Sequence, residues 1–173
     1  MRTRTLPGWH QLAKRKLKRL LIVVQSMGGL RGLGPPGCWQ VEIQFVSRTQ
    51  MSCLNESYRG KSYPTDILSF PVLKPFWNLG FLGELVICLP TLKAQARALG
   101  HRPEVELDIL LTHGVLHLLG LDHERSQKQA KVMSQWELKI LSQVLSRSSS
   151  PLQKSFLKQL GLIERSRPGN DGS

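Results

Sequence analysis

Apolar residues recur along this chain with two different periods, and the switches between those periods predict its elements. From Trp9 a helical spacing brings Trp9, Leu12, Ala13, Leu17, Leu20, Leu21, Val24 and Met27 to one side, with Lys14, Arg15, Lys18 and Arg19 on or near the other. Residues 28–37, rich in Gly and Pro, read as a loop. Residues 41–47 then alternate apolar Val41, Ile43 and Phe45 with polar Glu42 and Gln44, the pattern of a half-buried strand. A short helix over 49–58 is expected to turn Met51, Leu54 and Tyr58 inward, and residues 66–70 read as a second strand between Pro64 and Pro71. Residues 74–80 read as a loop, 81–89 as a third strand, and 91–99 as a helix that Gly100 ends. In the 74–80 loop, Phe76 and Trp77 either stack on bases or close over the core, and the second is favoured.

The best-patterned helix runs over 104–119. It offers Leu107, Leu110, Leu111, Gly114 and Leu118 to the sheet and carries Glu104, Glu106 and Asp108 in its first turns, where the helix dipole favours negative charge. Ser126 followed by Gln129 resembles a capping box, opening a last helix to residue 145 with Met133, Trp136, Ile140, Leu141 and Val144 as its apolar side. Residues 146–150 form a Ser-rich linker, and 1–7 and the tail to 173 are expected to be flexible. Together these predict an α+β protein, a small mixed sheet of roughly three to four strands covered by about five helices. A length of 173 residues fits one domain, placed at 1–145.

The end of the 104–119 helix holds the chemistry. His113 and His117 are one helical turn apart, so both rings can aim at one point. Gly120 suits the left-handed residue that ends a helix, which lets the chain double back and bring His123 towards the same point. Three imidazoles leave one coordination position open, the arrangement of catalytic rather than structural zinc, and nitrogen ligation favours one Zn2+ per chain. The spacing is that of the metzincin peptidases, H-E-x-x-H-x-x-G-x-x-H, but Gly114 stands where those enzymes carry their general base, Glu. The scaffold looks distantly metzincin-like while the chemistry does not.

Charge changes the picture further. The chain has 24 Lys and Arg against 12 Asp and Glu, a net charge of +12, and a pI near 10.2. That points to a polyanionic partner and away from a neutral enzyme surface. Residues 1–41 contain eight Lys or Arg and no acid, whereas nine of the 12 acids lie between positions 42 and 124. The longest apolar run near the start, residues 20–24, is too short for a signal-peptide core or a membrane helix, and no lipidation motif is present, so a cytoplasmic protein is expected. Cys38, Cys53 and Cys88 lack any C-x-x-C spacing and read as buried thiols.

Two further stretches complete a recognisable set. Residues 54–71, Leu-Asn-Glu-Ser-Tyr-Arg-Gly-Lys-Ser-Tyr-Pro-Thr-Asp-Ile-Leu-Ser-Phe-Pro, and residues 82–87, Leu-Gly-Glu-Leu-Val-Ile, occur in order with the histidine motif. Over residues 41–145 the chain resembles the YbeY family of endoribonucleases. The resemblance implies a zinc-dependent, single-strand-directed endoribonuclease of 16S ribosomal RNA 3′-end maturation and ribosome quality control. It implies His113, His117 and His123 as metal ligands and Arg59 as a functional arginine in the cleft. It also implies a mixed four-stranded sheet, although residues 1–8 show no clear strand of the kind with which family members open, so the sheet is expected to be short by one. Asp122 is a candidate either to orient a histidine ring or to hold backbone at the turn. Lys14, Arg15, Lys18, Arg19 and Lys61 are candidate RNA contacts. Ribosomal RNA and the small ribosomal subunit are the expected partners, joined by ribosomal proteins or a ribosome-assembly GTPase. Two rival readings stand beside this one: a zinc peptidase, and a non-catalytic ribosome assembly factor whose zinc is structural.

Overall fold

A computed structural model describes residues 6–35, 37–122 and 126–146. Of the segments expected to be flexible or linker, 1–7 and 146–173, residues 1–5 and 147–173 lie outside these described residues, as does the third histidine of the motif. Leu6 and Pro7 instead open the first helix, and Ser146 ends the last one.

Helix α1, Leu6–Ser26, buries the expected stripe of Trp9, Leu12, Ala13, Leu17, Leu20, Leu21 and Val24, with Val23 added. Lys14, Arg15 and Lys18 stay on its exposed side. The segment read as a loop instead begins with a short helix α2, Gly28–Arg31. Met27 and Leu30 are both buried there, and the amides of Leu30 and Arg31 donate to the Met27 carbonyl at 2.9 and 3.1 Å. Burial of Leu30 outweighs the weak helix propensity of the two glycines.

Strand β1, Gln40–Val46, leads into α3, Arg48–Arg59. Ser47 caps α3 through a complete capping box with Gln50. After β2, Ile67–Pro71, the expected loop at 74–80 is a 3₁₀ turn, Lys74–Leu79, whose Trp77 indole donates to the Val72 carbonyl at 3.2 Å. Strand β3, Phe81–Cys88, passes directly into α4, Leu89–Ala98, because Pro90 in the first turn suits a helix start. The long central helix α5, Pro103–Leu118, and α6, Gln127–Ser146, follow. Ser126 Oγ accepts from the Gln129 amide at 3.2 Å, as the capping reading expected.

The sheet has three strands among the described residues, in the order β1-β3-β2. β1 runs parallel to β3, and β2 antiparallel to it, with Ile67 opposite Ile87. Strand alternation sends the two sets of side chains to opposite sides. Leu85, Ile87, Ile67 and Phe45 join α1, α5 and α6 in the main core. Val86, Cys88 and Leu68 pack on Met51 of α3 in a smaller one. Gly83 is required where β3 pairs with the end of β2: a Cβ there would lie 2.2 Å from the Phe70 carbonyl oxygen.

Three side-chain expectations are corrected. Tyr58 is 67% exposed: it shares the side of Met51 and Asn55 but lies in the last turn of α3, where it meets the Phe70 ring only edge-on. Cys53 faces away from those two positions and is exposed, and Cys38 is exposed beside the turn at Gly37. Only Cys88 is a buried thiol.

Candidate functional site

Helix α5 is buried on nearly every side because it lies between the sheet and helices α1, α4 and α6. Its last turns leave His113 and His117 half-buried. Their Nε2 atoms approach to 3.2 Å, with ring centroids 4.6 Å apart and ring planes at 73°. The helix then closes as expected: Gly120 has φ 85, its amide donates to the His117 carbonyl at 2.9 Å, and the Leu121 amide donates to Leu116 at 3.0 Å. This pair of bonds is the Schellman closure, and it reverses the chain just before His123.

The donor set suits a metal ion. Two imidazole nitrogens on one tetrahedral zinc, each about 2.0–2.1 Å from it, stand about 3.3 Å apart. The observed 3.2 Å matches that separation. No group of three His, Cys, Asp or Glu placed to hold a metal occurs among the described residues, and His123 lies outside them.

Gly114, the residue after the first histidine, faces the sheet rather than the histidine pair. A Cβ at this position would lie 2.6 Å from Leu85 Cδ2 and 2.9 Å from Ile67 Cδ1. Glycine is therefore a packing requirement as well as the missing peptidase base, and a carboxylate here would be driven into apolar side chains.

A carboxylate that the sequence reading missed touches the pair from the other side. Glu137 of α6 accepts from His113 Nδ1 at 2.7 Å, with the two side chains 27% and 29% exposed. Its signal was present in the chain: Glu137 lies four after Met133 and three before Ile140, on the same side of the helix as apolar positions that are buried. Asp122 is half-buried in the turn after α5.

Arg59 ends α3, where Gly60 takes the left-handed conformation. Next to it, the Tyr58 ring meets Phe70 edge-on with centroids 4.8 Å apart. Leu118, beside His117, approaches Gly83, which pairs with Pro71. Tyr58 and Leu118 thus reach the Phe70–Pro71 end of edge strand β2 from opposite faces of the sheet, and Arg59 follows Tyr58 as the exposed last residue of α3. Asn55, buried below Arg59, donates to the Tyr63 carbonyl at 2.7 Å and ties down the turn that carries Lys61.

The basic residues of α1 lie elsewhere. Lys14 and Lys18 line a groove of about 680 Å³ with Trp39, Val41 and Ile43, along the opposite edge strand, β1. Arg15 is exposed nearby on α1, and Arg19 donates to the Val144 carbonyl of α6 at 3.0 Å. Lys16, not singled out from the sequence, pairs with buried Asp108 at 2.6 Å.

A family model described as endoribonuclease YbeY matches residues 10–145. This chain belongs to the YbeY family. An endoribonuclease YbeY from Aquifex aeolicus is 36% identical over 134 residues, covering 78% of this chain and 89% of that relative. One from Thermodesulfovibrio yellowstonii is 46% identical over 109 residues, covering 62% of this chain and 68% of the relative. A Thermotoga maritima protein solved in solution shares the fold with a TM-score of 0.54 at 23% identity, over 99% of this chain and 95% of that one. No described helix is long and apolar enough to cross a membrane.

Proposed function

We propose that this protein is a zinc-dependent endoribonuclease of the cytoplasm that cuts single-stranded RNA in 16S ribosomal RNA 3′-end maturation and in ribosome quality control. One observation carries most of the reading: in a member of an endoribonuclease family, two imidazole Nε2 atoms converge to 3.2 Å at the end of the central helix. His113, His117 and His123 hold one Zn2+. When bound, zinc supplies a Lewis acid for a phosphate oxygen and a bound water of lowered pKa.

The chain's own groups do the remaining work. Arg59 grips the phosphate at the cut, because a guanidinium stays charged and offers paired donors to two phosphate oxygens, and it stabilises the charge that develops there. Asp122 orients a histidine ring. Lys61, one residue past Gly60, adds attraction for the backbone on the Arg59 side. Lys14 and Lys18 hold a more distant stretch of RNA at the β1 edge, and Arg15 and Arg19 add attraction from the neighbouring side of α1, through contacts that weaken with salt. The small ribosomal subunit presents the substrate, and ribosomal proteins or a ribosome-assembly GTPase are the candidate protein partners.

Mapping 16S 3′ ends in cells with wild type, Arg59→Ala or His117→Ala tests this, with each variant checked for folding. Precursor ends should accumulate with folded Arg59→Ala protein, and purified wild type should cut single-stranded RNA while His117→Ala does not. Normal ends with folded Arg59→Ala protein would favour the scaffolding role. Cleavage of unstructured polypeptide that His117→Ala abolishes, with RNA left intact, would favour a peptidase.

A further inference from the structure

We infer that Glu137 is a positioning residue for the histidine pair, so that helix α6 sets how tightly the site holds its metal. The inference rests on His113 and His117 being ligands, and it adds a residue from a helix outside the histidine motif.

The geometry is specific. Glu137 Oε1 lies 2.7 Å from His113 Nδ1, and the opposite ring nitrogen of His113, Nε2, lies 3.2 Å from His117 Nε2. A neutral imidazole carries its proton on one nitrogen only, and a carboxylate on Nδ1 keeps the proton there and leaves the Nε2 lone pair for a metal. The same bond stops the ring from rotating about its bond to Cβ. Both side chains are nearly three-quarters shielded from solvent, so water competes only partly for the bond.

Glu137 can position another group because it is itself held. Met133 and Ile140, four before and three after it, are 1% and 0% exposed. The helix is tied to α1 where Arg19 donates to the Val144 carbonyl at 3.0 Å, and to α2 where a Cβ at Gly29 would come within 3.0 Å of the Trp136 ring. A carboxylate on a packed helix offers a fixed acceptor.

Zinc affinity, measured by competition with a chromophoric chelator, and the visible spectrum of the cobalt(II)-substituted protein are the readouts. They are taken for wild type, His117→Ala, Glu137→Ala and Glu137→Gln. Glu137→Ala should weaken zinc binding by about 10- to 100-fold and alter the cobalt spectrum, with the thermal midpoint of the metal-free protein unchanged. Glu137→Gln keeps an acceptor for Nδ1–H and should recover much of the loss. If His117→Ala loses zinc while Glu137→Ala binds it like wild type, the positioning role is overturned and the ligand reading stands. A loss in Glu137→Ala that tracks a fall in metal-free stability, with no rescue by Gln, would also overturn it. If His117→Ala binds zinc as wild type does, the ligand reading itself fails.

Discussion

Gly114→Ala tests whether the contact between α5 and the sheet sets the histidine geometry. In an exposed helix interior this change stabilises by about 1 kcal/mol, because alanine loses less backbone entropy. Here the new methyl would sit 2.6 Å from Leu85 Cδ2 and 2.9 Å from Ile67 Cδ1, where ordinary contact begins at 3.4 Å. Leu85 is fully buried and Ile67 is 7% exposed, so neither side chain can swing into solvent. Overpacking of this kind costs about 1–3 kcal/mol, which outweighs the propensity gain. Guanidinium unfolding should show Gly114→Ala less stable than wild type by about 1 kcal/mol. In a Leu85→Ala background the closest contact is gone and only Ile67 remains near the methyl, so the added cost of Gly114→Ala should shrink. A variant stabilised by about 1 kcal/mol in the wild-type background would refute the packing argument. Gly114→Glu, which restores the peptidase motif on paper, should unfold or fail to accumulate rather than acquire peptidase activity.

Other consequences follow from groups around α5 and α3. Burial, and then the nearby charge of Asp66, push Glu106 from its ordinary 4.5 up to about 7. The folded protein therefore keeps a proton that the unfolded chain has lost; the resulting stability is complete below 4.5, declines above it and is gone once the pH passes about 7. The ceiling is on the order of 3 kcal/mol, and His101 Nε2, 2.9 Å from the carboxyl, reduces it when charged. Unfolding midpoints of Glu106→Gln against pH should lack this decline, and matching profiles for the two proteins would refute the assignment. Burial also raises Asp108, against the opposing pull of Lys16. Lys16→Met should cost about 2 kcal/mol, less than the loss on breaking a fully buried pair, and Asp108→Leu added to it should restore most of the stability. Ser47→Ala removes the capping box of α3 and should cost about 1 kcal/mol by thermal or chemical unfolding.

Much of the framework was legible in the chain because it depends on local spacing. The stripe from Trp9 to Met27 and the alternation from Val41 to Phe45 both report which side of an element is apolar, and tertiary contact only confirmed those sides, whereas α5 is buried on nearly every side. Errors arose where a neighbour distant in sequence decided the outcome. Gly28 and Gly29 read as loop residues until Leu30 found its place in the core. Tyr58 matched an apolar helical position on the side of Met51 and Asn55, yet it falls in the last turn of α3 and only the edge of the Phe70 ring meets it.

By itself the sequence determined most of the element types, the family motif, and two histidines one turn apart on a helix closed by Gly120. The tertiary structure decided what surrounds them. It brought Glu137 from α6 onto His113, pressed Gly114 against Leu85, and set Lys14 and Lys18 along the β1 edge. The physical reason is range: periodicity and capping act within a turn or two of chain. A hydrogen bond across 24 residues, or a methyl's clearance from a strand, exists only once the helices have packed on the sheet.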